Sequence, residues 1–317
     1  MKNSIFFILV CITVMAHSQD RNQGPWWPVT KWGIADQTGA SNWIGPQKIL
    51  EALALVKKGE VVELGHMYER GMPNVGQRSF NIFIPSFPTY APSGKDSIVF
   101  NDEYVTAEIG QVGTQFDGLG HPGEKMKMAG GASAYVFYNG VQGDEMKNPY
   151  GLMKLGVEHV KPIITRGILI DLAASKNLPT LPEGYTISLQ DVRDALKKEG
   201  LTDNDIRPGD ALLFNIGWWR HWPGKITVEG KPAAASQELI DWIISMKPCM
   251  VGSDASLDAP PDFPLHANLI MKNGIYNLEF MDFSSMENKN QWVFLFVLTT
   301  IRIKGATGSP VRPLAIF

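Results

Sequence analysis

The chain has 317 residues, with 29 Lys and Arg against 32 Asp and Glu, a formal charge of −3, and 44% hydrophobic residues. No cluster of Lys or Arg stands out, which argues against nucleic-acid and membrane-surface roles, since both need a concentrated basic face. The length suits one large domain or two small ones, and nine Trp with 21 Pro point to a rigid, loop-rich globular protein with aromatic surfaces.

Residues 1–18 read as a secretory signal peptide. Lys2 gives a basic start, Ile5 to Met15 is apolar, and Ala16-His17-Ser18 ends in a small residue before a cut near Ser18/Gln19. The apolar run is too short to span a bilayer, and no later stretch supplies about 20 uncharged apolar residues. The expectation is a secreted or periplasmic protein whose working domain is 19–317. Removing 1–18 takes away Lys2 and Cys11, so the charge becomes −4 and Cys249 is left as a single thiol. No intramolecular disulfide is then possible.

Helical signals are few. Pro46 to Lys58 stops at Gly59 with lysines in its last turn. Ser188 caps Leu189 to Glu199, whose stripe is Leu189, Val192 and Leu196, and Gly200 follows. Ser236 to Met246 repeats the pattern with Leu239, Ile243 and Ile244 before Pro248. Strand signals are more numerous: Val61–Leu64, Phe80–Ile84, Ser97–Phe100, Tyr104–Ile109, Gly167–Leu172, Ala211–Ile216, Met250–Ser253, Ile275–Leu278 and a long apolar run, Trp292–Ile303. The clustered strands of the first half suggest antiparallel pairing, and the strands that follow helices suggest parallel pairing. The fold class is mixed α/β, strand-rich with a few helices.

The segment Gln111 to Pro122 carries the densest chemistry. Gln111, Gln115 and Asp117 offer acceptors, His121 an imidazole, and Gly113, Gly118 and Gly120 predict a shaped loop in place of a packed strand. Gly118 to Gly123 matches Gly-x-Gly-x-x-Gly, but Pro122 and Gly130-Gly131 oppose the helix that a dinucleotide site requires. Gly94-Lys95-Asp96 lacks the remaining parts of a phosphate loop, and no Gly-x-Ser-x-Gly elbow exists.

Among the histidines, His66 is ambiguous, His159 sits in a polar surface segment, and His221 lies in a tryptophan-rich loop with Trp218. His266 and Glu279 each interrupt a largely apolar stretch. A buried histidine alone is commonly hydrogen-bonded core, whereas a buried glutamate must find a partner or be neutralised. A shared cation would account for both. Upstream, Asp254 lies in a run of hydroxyls and carboxylates that ends a strand. It reads equally as an acceptor that orients a ligand histidine and as a turn cap.

Trp32-Gly33-Ile34-Ala35-Asp36 through Asn42, Gly209-Asp210 with Gly217-Trp218, Pro264-Leu265-His266 and Leu278-Glu279 together resemble the metal-dependent cyclase family that includes bacterial kynurenine formamidase and isatin hydrolase. The resemblance covers nearly the whole chain after residue 18. It implies a swivelling β/β/α fold and hydrolysis of an amide, formamide or cyclic amide. The family signature, His-x-Gly-Thr-His-x-Asp-x-x-x-His, is matched at Gly113, Thr114, Asp117 and His121, but Gln111 and Gln115 replace its first two histidines. An amide oxygen is a poor Zn²⁺ ligand though acceptable to harder ions. The resemblance therefore implies one divalent metal, Zn or Mn, on Asp117, His266 and Glu279. His121 is then the catalytic histidine, with Gln111, Gln115, Trp218 and Asp254 in substrate or auxiliary roles. It also implies a small-molecule substrate and a homodimer or homotetramer. Two alternatives stay open: a lactone or ester hydrolase of the same fold, and a metal-free small-molecule binding protein with a degenerate site.

Overall fold

The computed structural model describes residues 24, 26–27, 31–128, 131–224, 231–258 and 260–317; the expected signal segment lies outside these. The α1 helix (Pro46–Leu53) starts at its proline as expected, though it ends five residues before Lys58. In the first half, β1 (Val61–Glu63) precedes four short strands, β2 (Phe80–Phe83), β3 (Tyr90–Ser93), β4 (Ile98–Phe100) and β5 (Tyr104–Ala107). Then come β6 (Gln115–Asp117), β7 (Glu124–Lys127) and β8 (Ser133–Val136). The middle of the chain supplies β9 (Ile163–Asp171), β10 (Thr186–Ile187), β11 (Ala211–Asn215) and β12 (Ala234–Ala235). The last five are β13 (Met250–Ser253), β14 (Tyr276–Glu279), β15 (Val293–Leu298), β16 (Gly308–Pro310) and β17 (Leu314–Ile316).

Nine of these strands form one sheet in the order β1-β17-β15-β9-β11-β13-β14-β6-β16. Its centre, β9-β11-β13-β14, is parallel, and β15, β17, β1, β6 and β16 join antiparallel. Both faces of β11 and of the second half of β9 are largely apolar, as a sheet covered on both sides requires. Ile168, Ile170, Leu212, Phe214 and Val251 pack on one side against α2 (Leu189–Lys198) and α3 (Gln237–Met246), through Val192, Leu196, Leu239 and Ile243. Leu169, Leu213, Met250, Leu278 and Phe116 face the second core on the other side. Ser188 and Ser236 cap their helices through side-chain oxygens, as their positions predict.

Two expectations need correction. The apolar run from Trp292 is a strand only to Leu298. Beyond it Ile301 donates its backbone N–H to the Ser309 hydroxyl, and the chain turns away at a segment that also carries Arg302 and Lys304. Gln115–Asp117 is a buried strand between β14 and β16, not a loop. The glycines bracket it and do not interrupt it. Gly113 turns the entering chain at φ +59°, and a Cβ on Gly118 would lie 2.7 Å from the Thr307 carbonyl oxygen. Close backbone approach, not loop flexibility, is what they provide.

The Asp36 segment is structural. Its carboxylate accepts from the Thr38 hydroxyl, the Gly39 N–H, the Asn42 amide and the Tyr138 hydroxyl, closing the turn that leads into α1.

Candidate metal centre

Strand periodicity assembles the floor of the site. In the β14–β6 ladder Asn277 stands opposite Asp117 and Glu279 opposite Gln115, while Phe116 and Leu278 point to the second core. Four polar side chains therefore share one face of two paired strands. Asn277 Nδ2 donates to Asp117 Oδ2 and to Glu279 Oε1, each at 3.0 Å. Gln111 Nε2 donates to Asp117 Oδ1 at 2.9 Å, and Gln115 Nε2 to Glu279 Oε2 at 3.2 Å. Gly308 leaves room for this arrangement, since a Cβ there would come within 2.9 Å of the Gln111 amide nitrogen.

His266 begins a short π-helical turn, His266–Met271, and is aimed by Asp258. The Asp258 carboxylate accepts from the Leu265 and His266 backbone N–H groups and pairs with His266 Nδ1. Nε2 is thereby directed at Asp117 Oδ2, 3.4 Å away, and Glu279 Oε1, 3.7 Å away. His121 Nε2 lies 3.9 Å from Asp117 Oδ1. Asp117, His121 and His266 present ligand atoms that all lie within 4.8 Å of one another.

The electrostatics follow from that crowding. Burial works to raise the Asp117 carboxyl, but His121 and His266 overcome it and hold it at about 2. Burial and then the Asp117 charge push Glu279 up to about 7. Burial lowers His121 against the pull of Asp117, so its imidazole is held towards the neutral form. His266 goes the other way: burial opposes its charge, yet hydrogen bonds to Asp117 and Asp258 raise it well above the usual histidine range.

The residues fit a divalent cation on an observation independent of charge. Gln111 Oε1 and Gln115 Oε1 are buried and have no hydrogen-bond partner among the described residues. Their amide nitrogens are committed to carboxylates, so the oxygens face away from them and call for a donor or a cation. The site opens into a cleft of about 930 Å³ that Gln111, Gln115, His121, His266 and Glu279 help to line. Its apolar walls include Pro122, Phe263, Met271 and Phe280, in the size range of small-molecule sites. A larger groove, about 1120 Å³, runs along β1, but its charges pair with each other, Glu60 with Lys289 and Glu63 with Arg312.

Asp117, His121, His266, Glu279, Gln111 and Gln115 thus converge. Asp254 does not serve as the histidine's acceptor: its carboxylate accepts from the Ile216 and Trp219 N–H groups at 3.0 Å and closes the end of β11. Asp258, four residues on, takes the role expected of Asp254. Trp218 is buried in the first core with its ring against His221, away from the cleft. His66 stacks on Trp222 at 4.1 Å in the β1 groove. Asn277 and Asp258 escaped sequence reasoning. Asn277 had a usable signal, being two residues before Glu279 and so on the same strand face.

The fold and cleft define a mixed α/β protein with a carboxylate–histidine centre at the edge of a large sheet. By its sequence the chain belongs to the Cyclase family, described as "Putative cyclase", whose profile matches residues 62–259. Among solved structures it is similar to one described as a novel cyclase, at 27% identity and a TM-score of 0.78, covering 94% of this chain and 99% of that one. It is also similar to isatin hydrolase A from Labrenzia aggregata bound to benzyl benzoate, at 17% identity and a TM-score of 0.58, covering 85% and 97%. Isatin hydrolase A from Ralstonia solanacearum matches at 19% identity and a TM-score of 0.55, covering 81% and 91%. The last two likenesses bear on the fold. A comparison with curated proteins gave no match.

Proposed function

We propose that this chain is a metal-dependent hydrolase of an amide, formamide or cyclic amide bond, working with one divalent cation, Zn or Mn. The observation that carries the proposal is the juxtaposition of Asp117 and Glu279 on one face of the β6–β14 pair, with His266 Nε2 3.4 and 3.7 Å from them. Two buried carboxylates this close to one another are costly unless a cation joins them. Asp117, His266 and Glu279 would hold it. Such a cation supplies Lewis-acid polarisation of a carbonyl and lowers the pKa of a water.

The remaining roles belong to the chain's own groups. Asp258, by accepting from His266 Nδ1, fixes the tautomer that leaves Nε2 free to ligate. Gln111 and Gln115 donate to the carboxylate oxygens that a second cation would need, which supports a single-ion site. His121, on the cleft wall and held towards neutrality by burial, takes a proton from the attacking water and passes it to the leaving nitrogen. The apolar part of the cleft wall seats the body of a small substrate. An exported location, as the first 18 residues suggest, speaks against N-formylkynurenine as the physiological substrate, because that chemistry is a cytosolic task.

The grouping of Asp117, His121 and His266 within 4.8 Å favours a second reading in which His121 is itself a ligand. One experiment separates the two. With His121→Ala, turnover of an amide panel should fall to background while bound metal per chain is unchanged. Loss of the metal along with activity makes His121 a ligand, and full activity removes it from the mechanism.

A further inference from the structure

The cleft wall carries a cation that the proposed chemistry does not use. Arg78 lines the cleft with Gln111 and His121, two residues before β2. The backbone around it is fixed. Phe80 packs with Met72 and Val112, and the Ser79 N–H donates to Glu108 Oε2 at 2.8 Å. The guanidinium thereby comes to the Gln111 segment, with Nη1 3.5 Å from the Gln111 carbonyl oxygen. The same glutamine rests its side-chain amide on Asp117, so a single residue links Arg78 to the metal centre. Its charge reaches His121, where burial lowers the imidazole and Arg78 adds to that effect.

Arg78 lacks an acid to pair with. Among the described residues two arginines are not exposed, Arg78 and Arg166, and Arg166 lies 3.5 Å from the Asp210 carboxylate. Arg78 has no such partner among the described residues; its hydrogen bond goes to a neutral carbonyl. Glu108 is exposed and committed to the Ser79 backbone, and Glu124 and Asp262 stand exposed at the rim of the cleft. A guanidinium drawn half out of water without an anion is costly. A carboxylate gives it two parallel charge-assisted bonds, which its planar fork is built to make.

We infer that Arg78 is the anion-recognising residue of the cleft, and that the substrate is an amide or cyclic amide bearing a carboxylate away from the scissile bond. The scissile bond rests on the hydrolase reading; the carboxylate rests on Arg78 alone. Charge balance favours it. Asp117 and Glu279 match the charge of a divalent ion, and the rim offsets Lys125 with Glu124 and Asp262. Arg78 is then the positive group inside the cleft that remains to attract an anion. The apolar part of the wall takes the body of the molecule.

The test compares 2-, 3- and 4-formamidobenzoate with formanilide, their uncharged counterpart, on the full metal-loaded chain as wild type, Arg78→Gln and Arg78→Lys. Wild type should favour one or more of the charged isomers over formanilide by about 10–100-fold in kcat/KM, the worth of a charge-assisted pair. Arg78→Gln should bring that ratio to about one, chiefly through KM, with circular dichroism and metal content unchanged, and Arg78→Lys should keep part of it. A wild type with no preference for the charged isomers overturns the inference. So does an Arg78→Gln variant that loses activity equally on both kinds of substrate, because the ratio then survives. Calorimetric binding of benzoate against benzamide to the same proteins reads the preference without turnover. A chain that hydrolyses nothing, yet binds benzoate more tightly than its Arg78→Gln variant does, would keep this role for Arg78 and sink the hydrolase reading. A benzoate affinity that Arg78→Gln leaves unchanged would remove the role.

Discussion

Replacing Asp258 by asparagine tests how the metal centre is held without touching a proposed ligand. The Asp258 carboxylate is buried and makes three contacts: the Leu265 N–H at 2.6 Å, the His266 N–H at 3.2 Å, and His266 Nδ1. The Asp258→Asn side chain keeps one oxygen for the backbone and loses the charge that holds the Nδ1 proton. The acceptor behind a ligand histidine is typically worth 10–100-fold in metal affinity, about 1.4–2.7 kcal/mol. The metal-free fold should lose less, on the order of 1 kcal/mol for one weakened buried contact. Competition with a chelator gives the affinity, and thermal melts of the metal-free proteins give the fold cost. An Asp258→Asn variant that binds Zn²⁺ or Mn²⁺ as tightly as wild type would refute the claim that Asp258 positions His266.

Other expectations follow from specific contacts. Gln111→His with Gln115→His should raise the metal content towards two ions per chain, because it replaces two carboxylate-bound amides by ligands for a second site; elemental analysis after dialysis reads this directly, and an unchanged count would mean that the glutamines do not limit occupancy. Gly118→Ala should destabilise the chain by about 1–3 kcal/mol, since the new methyl meets the Thr307 carbonyl and Val157 at 2.7 and 2.9 Å; a denaturant melt matching wild type would contradict this. Burial pushes Glu199 up to about 8 from an ordinary 4.5, against the pull of the Asp171 backbone N–H that it accepts. Its folded form binds a proton that the unfolded form releases, so stability is full below about 4.5 and declines as pH rises through about 8. Glu199→Gln should flatten that decline, by a few kcal/mol at most, and parallel pH profiles of wild type and variant would count against it.

Much of the site was legible because burying a charge is expensive. His266 and Glu279 stood out as polar breaks in apolar runs, and both lie at one centre with Asp117. The parallel centre of the sheet was readable from strands that follow helices, such as Ala211–Ile216 and Met250–Ser253, and the helix starts from their caps. What was lost depended on partners distant in sequence. Glycines around β6 read locally as a loop, yet their tight contacts are with Thr307, Gly308 and Tyr68, which no local pattern shows. Asp254 and Asp258 were chemically equivalent in the sequence, and only the turn after β13 decides which carboxylate meets the histidine. β16 escaped because a three-residue strand bounded by Gly308 and Pro310 carries no apolar periodicity, and β17 because three residues are too few to show one.

The central claim is that Asp117, His266 and Glu279 hold one catalytic cation. The most direct measurement is the metal content of the purified full chain by elemental analysis, after chelation and reloading with Zn²⁺ or Mn²⁺, beside Asp117→Asn and Glu279→Gln. The account predicts one tightly held ion per wild-type chain, hydrolysis that returns with that ion, and neither ion nor activity in the two variants. A wild-type chain that takes up no ion, or variants that keep the full complement, would contradict it.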